Sequence, residues 1–558
     1  MRTGANIVMQ SLADHGVDLV FGYPGGAILP LYDEMVRHPN VRHVLVRHEQ
    51  CAAHMADGYA RVTGKVGVCI ATSGPGATNL VTGIANAAMD GIPMLAITGQ
   101  VARKGIGKDA FQETDIQGVT LPITKHNYLV PSVDCLPEIL EEAFDVAGRG
   151  RKGPVLVDIP KDVLQAASQA KTAKPKPQDA QKPDPEQIRI AWRMIQNAKR
   201  PVAIAGAGVL HAGASNLLKQ LAERCDIPVA SSLLGLGAIG SSHPLCLGMM
   251  GMHGRAAPTL AVQKADLVLG IGIRFDDRLT GETAGFAPKA QIIHFDIDPC
   301  EVGKTVSPDA FVLGDLGQTL TALLELAQPR QRPEWRQQIE AWQAEFPVVV
   351  PKESGLVMRH VLHRLDQKLN GQAIVATDVG QHQMWAAQML RFDHPRSWIS
   401  SGGLGTMGFG FPAAMGAKFA QPHTEVWAIV GDGGFQMTLQ ELQTAQENSL
   451  DVKICLLNNG YLGMVRQWQE LFYENRLSHV LLGNPDYQKL AEAYAVGFAR
   501  CTEQDQIDET IEAARSHKGP FLCEFQVQME ENLFPMVPPG SHNSDLVMDP
   551  ALPQAVAK

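Results

Sequence analysis

The sequence predicts an α/β protein built from three doubly wound parallel-sheet domains. Three observations carry that expectation. Short apolar, β-branched runs recur along the whole chain and alternate with helix-period segments. Two compositional breaks divide the chain into blocks long enough for such sheets. The 53 glycines gather where the apolar runs end, and that edge is where open α/β sheets bind ligands.

The breaks are residues 166–187, rich in Lys, Pro, Gln and Ala, and residues 327–354, which mix prolines and charge around one helical pattern. They leave blocks 1–165, 188–328 and 355–545. In the first, Val66–Ala71, Met94–Ile97 and Val155–Asp158 read as buried strands. In the second the same role falls to Pro201–Ala205, Leu267–Ile271 and Ile292–Phe295, and in the third to Ile374–Thr377, Val426–Val430 and Val452–Leu457. Strands of this kind, separated by helical segments, form βαβ units with helices on both sheet faces.

Composition narrows the function classes. A chain of 558 residues has ample length for several buried cores. A net charge of −10 argues against a nucleic-acid or anionic-membrane binder, while leaving room for a local basic pocket. No stretch reaches the roughly 18 apolar residues of a membrane helix, and the N-terminus lacks signal-peptide features, so a cytoplasmic protein is expected. Nine scattered cysteines without a C-x-x-C pair read as free thiols in a reducing compartment.

The strongest chemical signal is Gly431-Asp432-Gly433-Gly434, followed by Asn458-Asn459. Asp432 ends one predicted strand, a helix over Leu439–Gln446 follows, and the next strand ends at Asn458. In one βαβ unit both strand ends lie at the same edge, so Asp432 and Asn459 converge. A carboxylate, an amide oxygen and a main-chain carbonyl, that of Tyr461, are hard oxygen ligands suited to Mg²⁺ with open positions for phosphates. Gly433 and Gly434 let the backbone approach those phosphates.

Other stretches admit two readings. Glu49, in Arg47-His48-Glu49-Gln50 before a predicted helix over Ala52–Ala60, suits a helix dipole on its own and gains a second reading only from the resemblance given below. Phe21-Gly22-Tyr23-Pro24-Gly25-Gly26-Ala27 and Ser73-Gly74-Pro75-Gly76-Ala77-Thr78-Asn79 fit plain turns or a ligand edge. Ala205-Gly206-Ala207-Gly208-Val209 follows a strand, but His211 stands where a dinucleotide fingerprint needs glycine.

The Gly431-to-Asn459 pattern resembles the thiamine diphosphate motif. Together with FGYPGGA, RHEQ, SGPGATN, Ile97-Thr98-Gly99-Gln100, Asp109-Ala110-Phe111-Gln112-Glu113, GPVLVDIPKD, Gly251-Met252-His253-Gly254, Arg274-Phe275-Asp276-Asp277-Arg278, Ser401-Gly402-Gly403-Leu404-Gly405-Thr406-Met407-Gly408 and Gly463-Met464-Val465-Arg466-Gln467-Trp468, it stands in the order found in catalytic subunits of acetohydroxyacid (acetolactate) synthases. The resemblance runs from about residue 4 to residue 545.

That resemblance implies three cofactors: thiamine diphosphate, Mg²⁺ and FAD. Residues 1–165 would bind the pyrimidine, 188–328 the FAD, and 355–545 the diphosphate and Mg²⁺. Glu49 would activate the pyrimidine, Gln112 would face the reacting centre, and Tyr23, Pro24, Gly25 and Gly26 would stand beside the thiazolium. Val379, Gly380, Gln381 and His382 would meet the diphosphate with Gly433, Gly434 and Met464 nearby. Gly405 C=O would accept from the pyrimidine amine, and Met407 would wedge the cofactor into a bent form. Gly206, Ala207, Gly208, Gly251, Met252, His253, Gly254, Gly272, Arg274, Asp276, Asp296, Ile297 and Asp315 would line the FAD site, reached by Arg151. Phe111, Lys161, Arg278 and Trp468 would meet substrate.

The implied reaction is decarboxylation of pyruvate and transfer of its two-carbon unit to a second 2-ketoacid, pyruvate or 2-ketobutyrate, in branched-chain amino-acid biosynthesis. At least a homodimer and a small regulatory subunit are implied as partners, with no nucleic acid and no membrane. A pyruvate oxidase, which passes electrons to its flavin, is the rival enzyme, and a flavin-binding scaffold without chemistry is the rival from another class. Arg278 has a second reading, as an ion-pair partner of Asp276 or Asp277, and Trp468 has one as a core residue.

Overall fold

A computed structural model describes residues 1–172, 180–352 and 355–550. It contains three six-stranded sheets, each parallel throughout. The first is made of Leu19–Gly22, Arg42–Leu45, Gly67–Ala71, Met94–Gln100, His126–Leu129 and Pro154–Pro160, in the spatial order 2-1-3-4-6-5. The third has the same order, with Ile374–Thr377, Trp398–Ser400, Val426–Gly431, Lys453–Asn458, Gly497–Cys501 and Phe521–Gln526. The middle sheet, made of Pro201–Ala205, Val229–Ser231, Cys246–Met249, Leu267–Ile271, Gln291–Asp296 and Ala310–Leu313, runs 3-2-1-4-5-6.

All nine strands expected from apolar runs are present, with ends shifted by a few residues. The remaining strands of these sheets lie in more polar or shorter segments, where periodicity is weak. The predicted linkers are only partly irregular. Within 166–187, Ala167–Ser168 pairs with Arg2–Thr3, a helix starts at Pro185, and residues 173–179 lie outside the described ones. Within 327–354 the helix is Pro333–Glu345, and residues 353–354 lie outside.

The first and third blocks do not keep separate cores. One buried cluster contains Phe21, Met55 and Ala56 together with Ile374, Phe409, Phe411 and Val430. Its centre is the crossing of helix Glu49–Thr63 with helix Gly410–Ala420. A Cβ on Gly58 would come within 2.1 Å of Ala413 C=O, and one on Gly416 within 2.0 Å of Met55 C=O. Backbone therefore lies on backbone, which only glycine permits. Gly416→Val should lower the thermal midpoint, because forcing such a contact apart costs about 1–3 kcal/mol or more. An unchanged midpoint in a calorimetric scan would show that the helices separate freely.

Buried polar groups lock the same interface. Asp90 accepts from Arg61 at 2.7 Å and from the N–H groups of Gly402 and Gly403 at 3.1 and 2.7 Å. Asn86 Oδ1 accepts from the hydroxyls of Ser401 and Thr406 at 2.6 and 3.1 Å. The first domain thus holds the loop of the third domain that carries Gly405 and Met407.

Candidate functional site

In each sheet the chain reverses its winding between two neighbouring strands, and a crevice opens at their carboxyl ends. In the first sheet those strands end at Gly22 and Ala71, in the middle sheet at Ala205 and Ile271, and in the third at Thr377 and Gly431. Glycine-rich stretches singled out in the sequence follow four of these six ends, those at Gly22, Ala71, Ala205 and Gly431. The fold therefore gathers the predicted residues into three crevices.

In the first crevice, Glu49 opens helix Glu49–Thr63, three residues earlier than periodicity suggests, because His48 caps the helix by accepting from Gln50 N–H. Glu49 Oε2 accepts from Asn79 Nδ2 at 2.9 Å. The loop before it is fixed to the third domain, since Glu441 Oε1 accepts from the N–H groups of Arg47 and His48 at 2.8 and 3.1 Å. Gly25 lies against Thr72, whose hydroxyl accepts from Ala27 N–H at 3.3 Å, while Gly26 faces open space. Gln112 adopts φ +61°, and its backbone packs on Gly74, itself at +59°. Tyr23, Pro24, Gly25, Gly26, Glu49 and Gln112 thus share one edge. Phe111, beside Gln112, is 88% exposed. Lys161 follows the strand end at Pro160 and is partly exposed.

The third crevice is organised by a residue the sequence reading missed. Asp378 is fully buried, and its carboxylate accepts from the N–H groups of Val379, Gly408 and Gly410 at 2.8 to 3.0 Å. Burial pushes its carboxyl up to about 6 against those bonds. A Cβ on Gly434 would strike Asp378 Oδ1. One carboxylate thus joins the Val379 loop, the Met407 loop and Gly434. The only hint in the sequence is an Asp just beyond a strand end.

His382 is buried between Gly380 and Gly431, and its Nε2 has no partner. Burial lowers its ring to about 4, so it is neutral at physiological pH. The Gln381 side chain turns into the protein. It donates to Gln467 Oε1 at 2.9 Å and Glu531 C=O at 2.8 Å, so the side chain is committed elsewhere and contact with a diphosphate falls to other groups of the loop.

The strand ends before Asp432 and Asn459 lie side by side, as a βαβ unit requires, since strands Val426–Gly431 and Lys453–Asn458 pair with Gly431 opposite Leu457. Both residues are buried. Burial raises the Asp432 carboxyl above the usual range. Asn459 Oδ1 accepts from Tyr461 N–H at 3.2 Å. The predicted helix over Leu439–Gln446 is a 3₁₀ turn, Leu439–Glu441, continued by Leu442–Glu447, and a separate short helix starts at Asp432. Met407 packs near Gly433 together with Leu462 and Leu482.

The middle crevice opens into a cavity of about 1320 Å³. Arg151, Gly206, Ala207, Gly208, Met252, His253, Gly272, Arg274, Asp276, Asp296, Ile297 and Asp315 line it, and so do Arg278, Trp468, Val379, Gly405 and Met464. The cavity therefore runs from the middle sheet to the third crevice. Gly251 and Gly254 stand behind it instead, Gly251 against the backbone of Arg278 and Leu279, Gly254 against Met250. Gly206, Gly208 and Gly272 also touch each other, so that contact alone accounts for part of the glycine pattern. The carboxylates of Asp276 and Asp315 cap helices Asp277–Thr280 and Leu316–Leu326, and Arg151 pairs with Glu301.

Arg278 makes one long, solvent-exposed ion pair. Its nearest carboxylate, Asp277, is 3.7 Å away, and Asp276 sits 3.7 Å from Arg274. Its guanidinium also lies 5.8 Å from the Trp468 ring centre and donates to Met252 Sδ at 3.1 Å. Trp468 is half-buried, lies outside the packed clusters and has an indole N–H without a partner. These two residues form a cationic and aromatic corner of the cavity.

The residues present fit the implied groups. The partnerless His382 Nε2 suits a phosphate oxygen acceptor, and Asp432, Asn459 and a main-chain carbonyl are an oxygen set for Mg²⁺. The cavity volume and the partnerless His253 Nδ1 on its wall suit a dinucleotide. Among the described residues no helix is long and apolar enough to cross a membrane.

Comparison with known proteins agrees with this arrangement. The N-terminal thiamine pyrophosphate-binding domain of thiamine pyrophosphate enzymes matches residues 2–119, their central domain 188–323, and their C-terminal thiamine pyrophosphate-binding domain 378–525. The acetolactate synthase large subunit of Mycobacterium tuberculosis is 48% identical over 562 residues, covering 98% of this chain and 91% of that protein. That of Corynebacterium glutamicum is 48% identical over 561 residues (98% and 90%), and that of Pyropia yezoensis 45% over 563 (98% and 95%).

Proposed function

The chain belongs to the acetolactate synthase family of thiamine pyrophosphate enzymes, and from that membership we propose how its three crevices divide the work. The activity is condensation of pyruvate with a second 2-ketoacid: two pyruvates give 2-acetolactate and CO₂, and pyruvate with 2-ketobutyrate gives 2-aceto-2-hydroxybutyrate. Both are precursors of branched-chain amino acids. Bound thiamine diphosphate supplies the electron sink that lets CO₂ leave.

Glu49, with one carboxylate oxygen held by Asn79, would give and take the proton at the pyrimidine ring nitrogen of bound thiamine diphosphate. Gln112 and Gly26 border the reacting centre. Asp432, Asn459 and Tyr461 C=O would hold Mg²⁺, which supplies positive charge for a diphosphate, and Val379, Gly380, His382, Gly433 and Gly434 would border that diphosphate. Arg278 binds the carboxylate of the incoming ketoacid, and Trp468 forms the apolar wall against its alkyl group. Phe111 and Lys161 reach the site from the first domain. The Glu49 and Asp432 crevices complement each other across a homodimer, and a small regulatory subunit joins the assembly in the cytoplasm.

Gly206, Gly208, Arg274 and Asp276 would hold FAD in the cavity as a structural group. The observation that carries this reading is the continuity of that cavity with the third crevice through Val379, Gly405 and Met464. The test is product analysis with pyruvate alone and with 2-ketobutyrate added, while the flavin absorbance is followed. Acetolactate formation with the flavin oxidised throughout is expected. Acetate formation with flavin bleaching would establish the oxidase instead.

A further inference from the structure

The loop carrying Asn459 and Tyr461 is braced by a segment whose sequence, Gly483-Asn484-Pro485, reads as an ordinary turn. Residues 480–482 run antiparallel to residues 460–462. Leu482 N–H donates to Gly460 C=O, and Leu462 N–H to Val480 C=O, both at 2.8 Å. Tyr461 and Leu481 face each other between those bonds. In that register the facing residues exchange no bonds, and their own N–H and C=O groups point to the outer edges. Tyr461 C=O is therefore turned away from Leu481. Its N–H lies on that same outer edge and is taken by Asn459 Oδ1.

Two residues beyond this ladder, Asn484 reaches back to the carboxylate. Its Nδ2 is 2.7 Å from Asp432 Oδ2 and 2.8 Å from Asn458 Oδ1. Its Oδ1 accepts from Gln436 Nε2 at 2.7 Å and from the Tyr487 hydroxyl at 3.2 Å. Two donors on the oxygen and two acceptors on the nitrogen fix the amide in one orientation, because a flipped amide would set oxygen against the carboxylate. Asn458 Nδ2 continues the chain to Glu524 Oε1 at 2.9 Å. A neutral amide thus holds a buried carboxylate without neutralising it, and leaves the charge for a cation.

We propose that Asn484 is a positioning residue for the divalent cation: it fixes one oxygen of Asp432 while its own segment keeps Tyr461 C=O turned outward, so that the oxygen ligands are set before the ion arrives. This rests on the reading of Asp432, Asn459 and Tyr461 as the Mg²⁺ ligands. Removing an outer-shell partner of a metal ligand typically costs about 10–100-fold in metal affinity.

The test uses the full-length protein stripped of Mg²⁺ by a chelator and given a fixed concentration of thiamine diphosphate. Mg²⁺ is titrated, and cofactor binding is followed by tryptophan fluorescence. Asn484→Ala should shift the Mg²⁺ midpoint upward by about 10–100-fold, with the Mg²⁺-free thermal midpoint and FAD content unchanged. Gln436→Ala frees the amide to turn and should shift the same midpoint less, which keeps the test open if the Asn484 variant does not fold. A wild-type midpoint in whichever variant folds overturns the proposal. Wild-type protein whose cofactor binding ignores Mg²⁺ would instead refute the cation site itself.

Discussion

Glu49→Gln should lower turnover by about 10²–10⁴-fold, the scale of a lost general acid–base step. The amide keeps the shape of the side chain, and its oxygen still accepts from Asn79, which stands 2.9 Å from Glu49 Oε2. The helix cap at His48 and the two bonds from Glu441 to the preceding backbone do not involve the Glu49 side chain. Thermal midpoint and flavin content should therefore match the parent. What the amide lacks is a carboxyl proton to give and take back. Steady-state rates with saturating thiamine diphosphate and Mg²⁺ measure the loss directly. Parental turnover would remove Glu49 from the mechanism and return it to a helix-terminal charge.

Trp468→Leu should change which second ketoacid is chosen more than it changes the rate with pyruvate alone. One methylene in an apolar pocket is worth roughly 1–3 kcal/mol, or about 10–200-fold in selectivity. Trp468 stands where it can supply that wall, on the cavity surface beside Arg278 and Met464. Leucine keeps an apolar lining but withdraws from the extra methyl of 2-ketobutyrate. It also removes the aromatic face beside the guanidinium, a contact worth about 0.5–1 kcal/mol at an exposed site, so a modest rise in KM is expected. Competing both ketoacids at fixed concentrations and measuring the product ratio checks this. An unchanged ratio would mean that Trp468 serves packing alone, against its place on the cavity wall and its partnerless indole N–H.

Much of the site was legible because its signals are local. Gly431 to Gly434 and Asn458-Asn459 belong to one strand–helix–strand unit, where chain direction alone brings two strand ends together. The glycine runs after Phe21, Ala71 and Ala205 announce turns at strand ends for the same reason. The inward bonds of the Gln381 side chain were not legible, because its partners, Gln467 and Glu531, lie 86 and 150 positions away. Gly251 and Gly254 looked like cavity wall but serve backbone packing. Asp378 and Asn484 went unnoticed because nothing near them in the chain marks a buried carboxylate or a fixed amide.

By itself, then, the sequence determined the α/β class, the three sheets, the strand ends that carry chemistry and, through its ordered motifs, the family. Each follows from periodicity, turn residues or short motifs within a few tens of positions. Only the tertiary structure decided the strand order, the winding reversals that group the turns into crevices, and the core shared by helices Glu49–Thr63 and Gly410–Ala420. It also decided that Asp90 and Asn86 hold the Gly405 loop, and that Asn484 faces Asp432. These depend on which distant surfaces bury one another and which buried polar groups must find partners, and no local pattern encodes that choice.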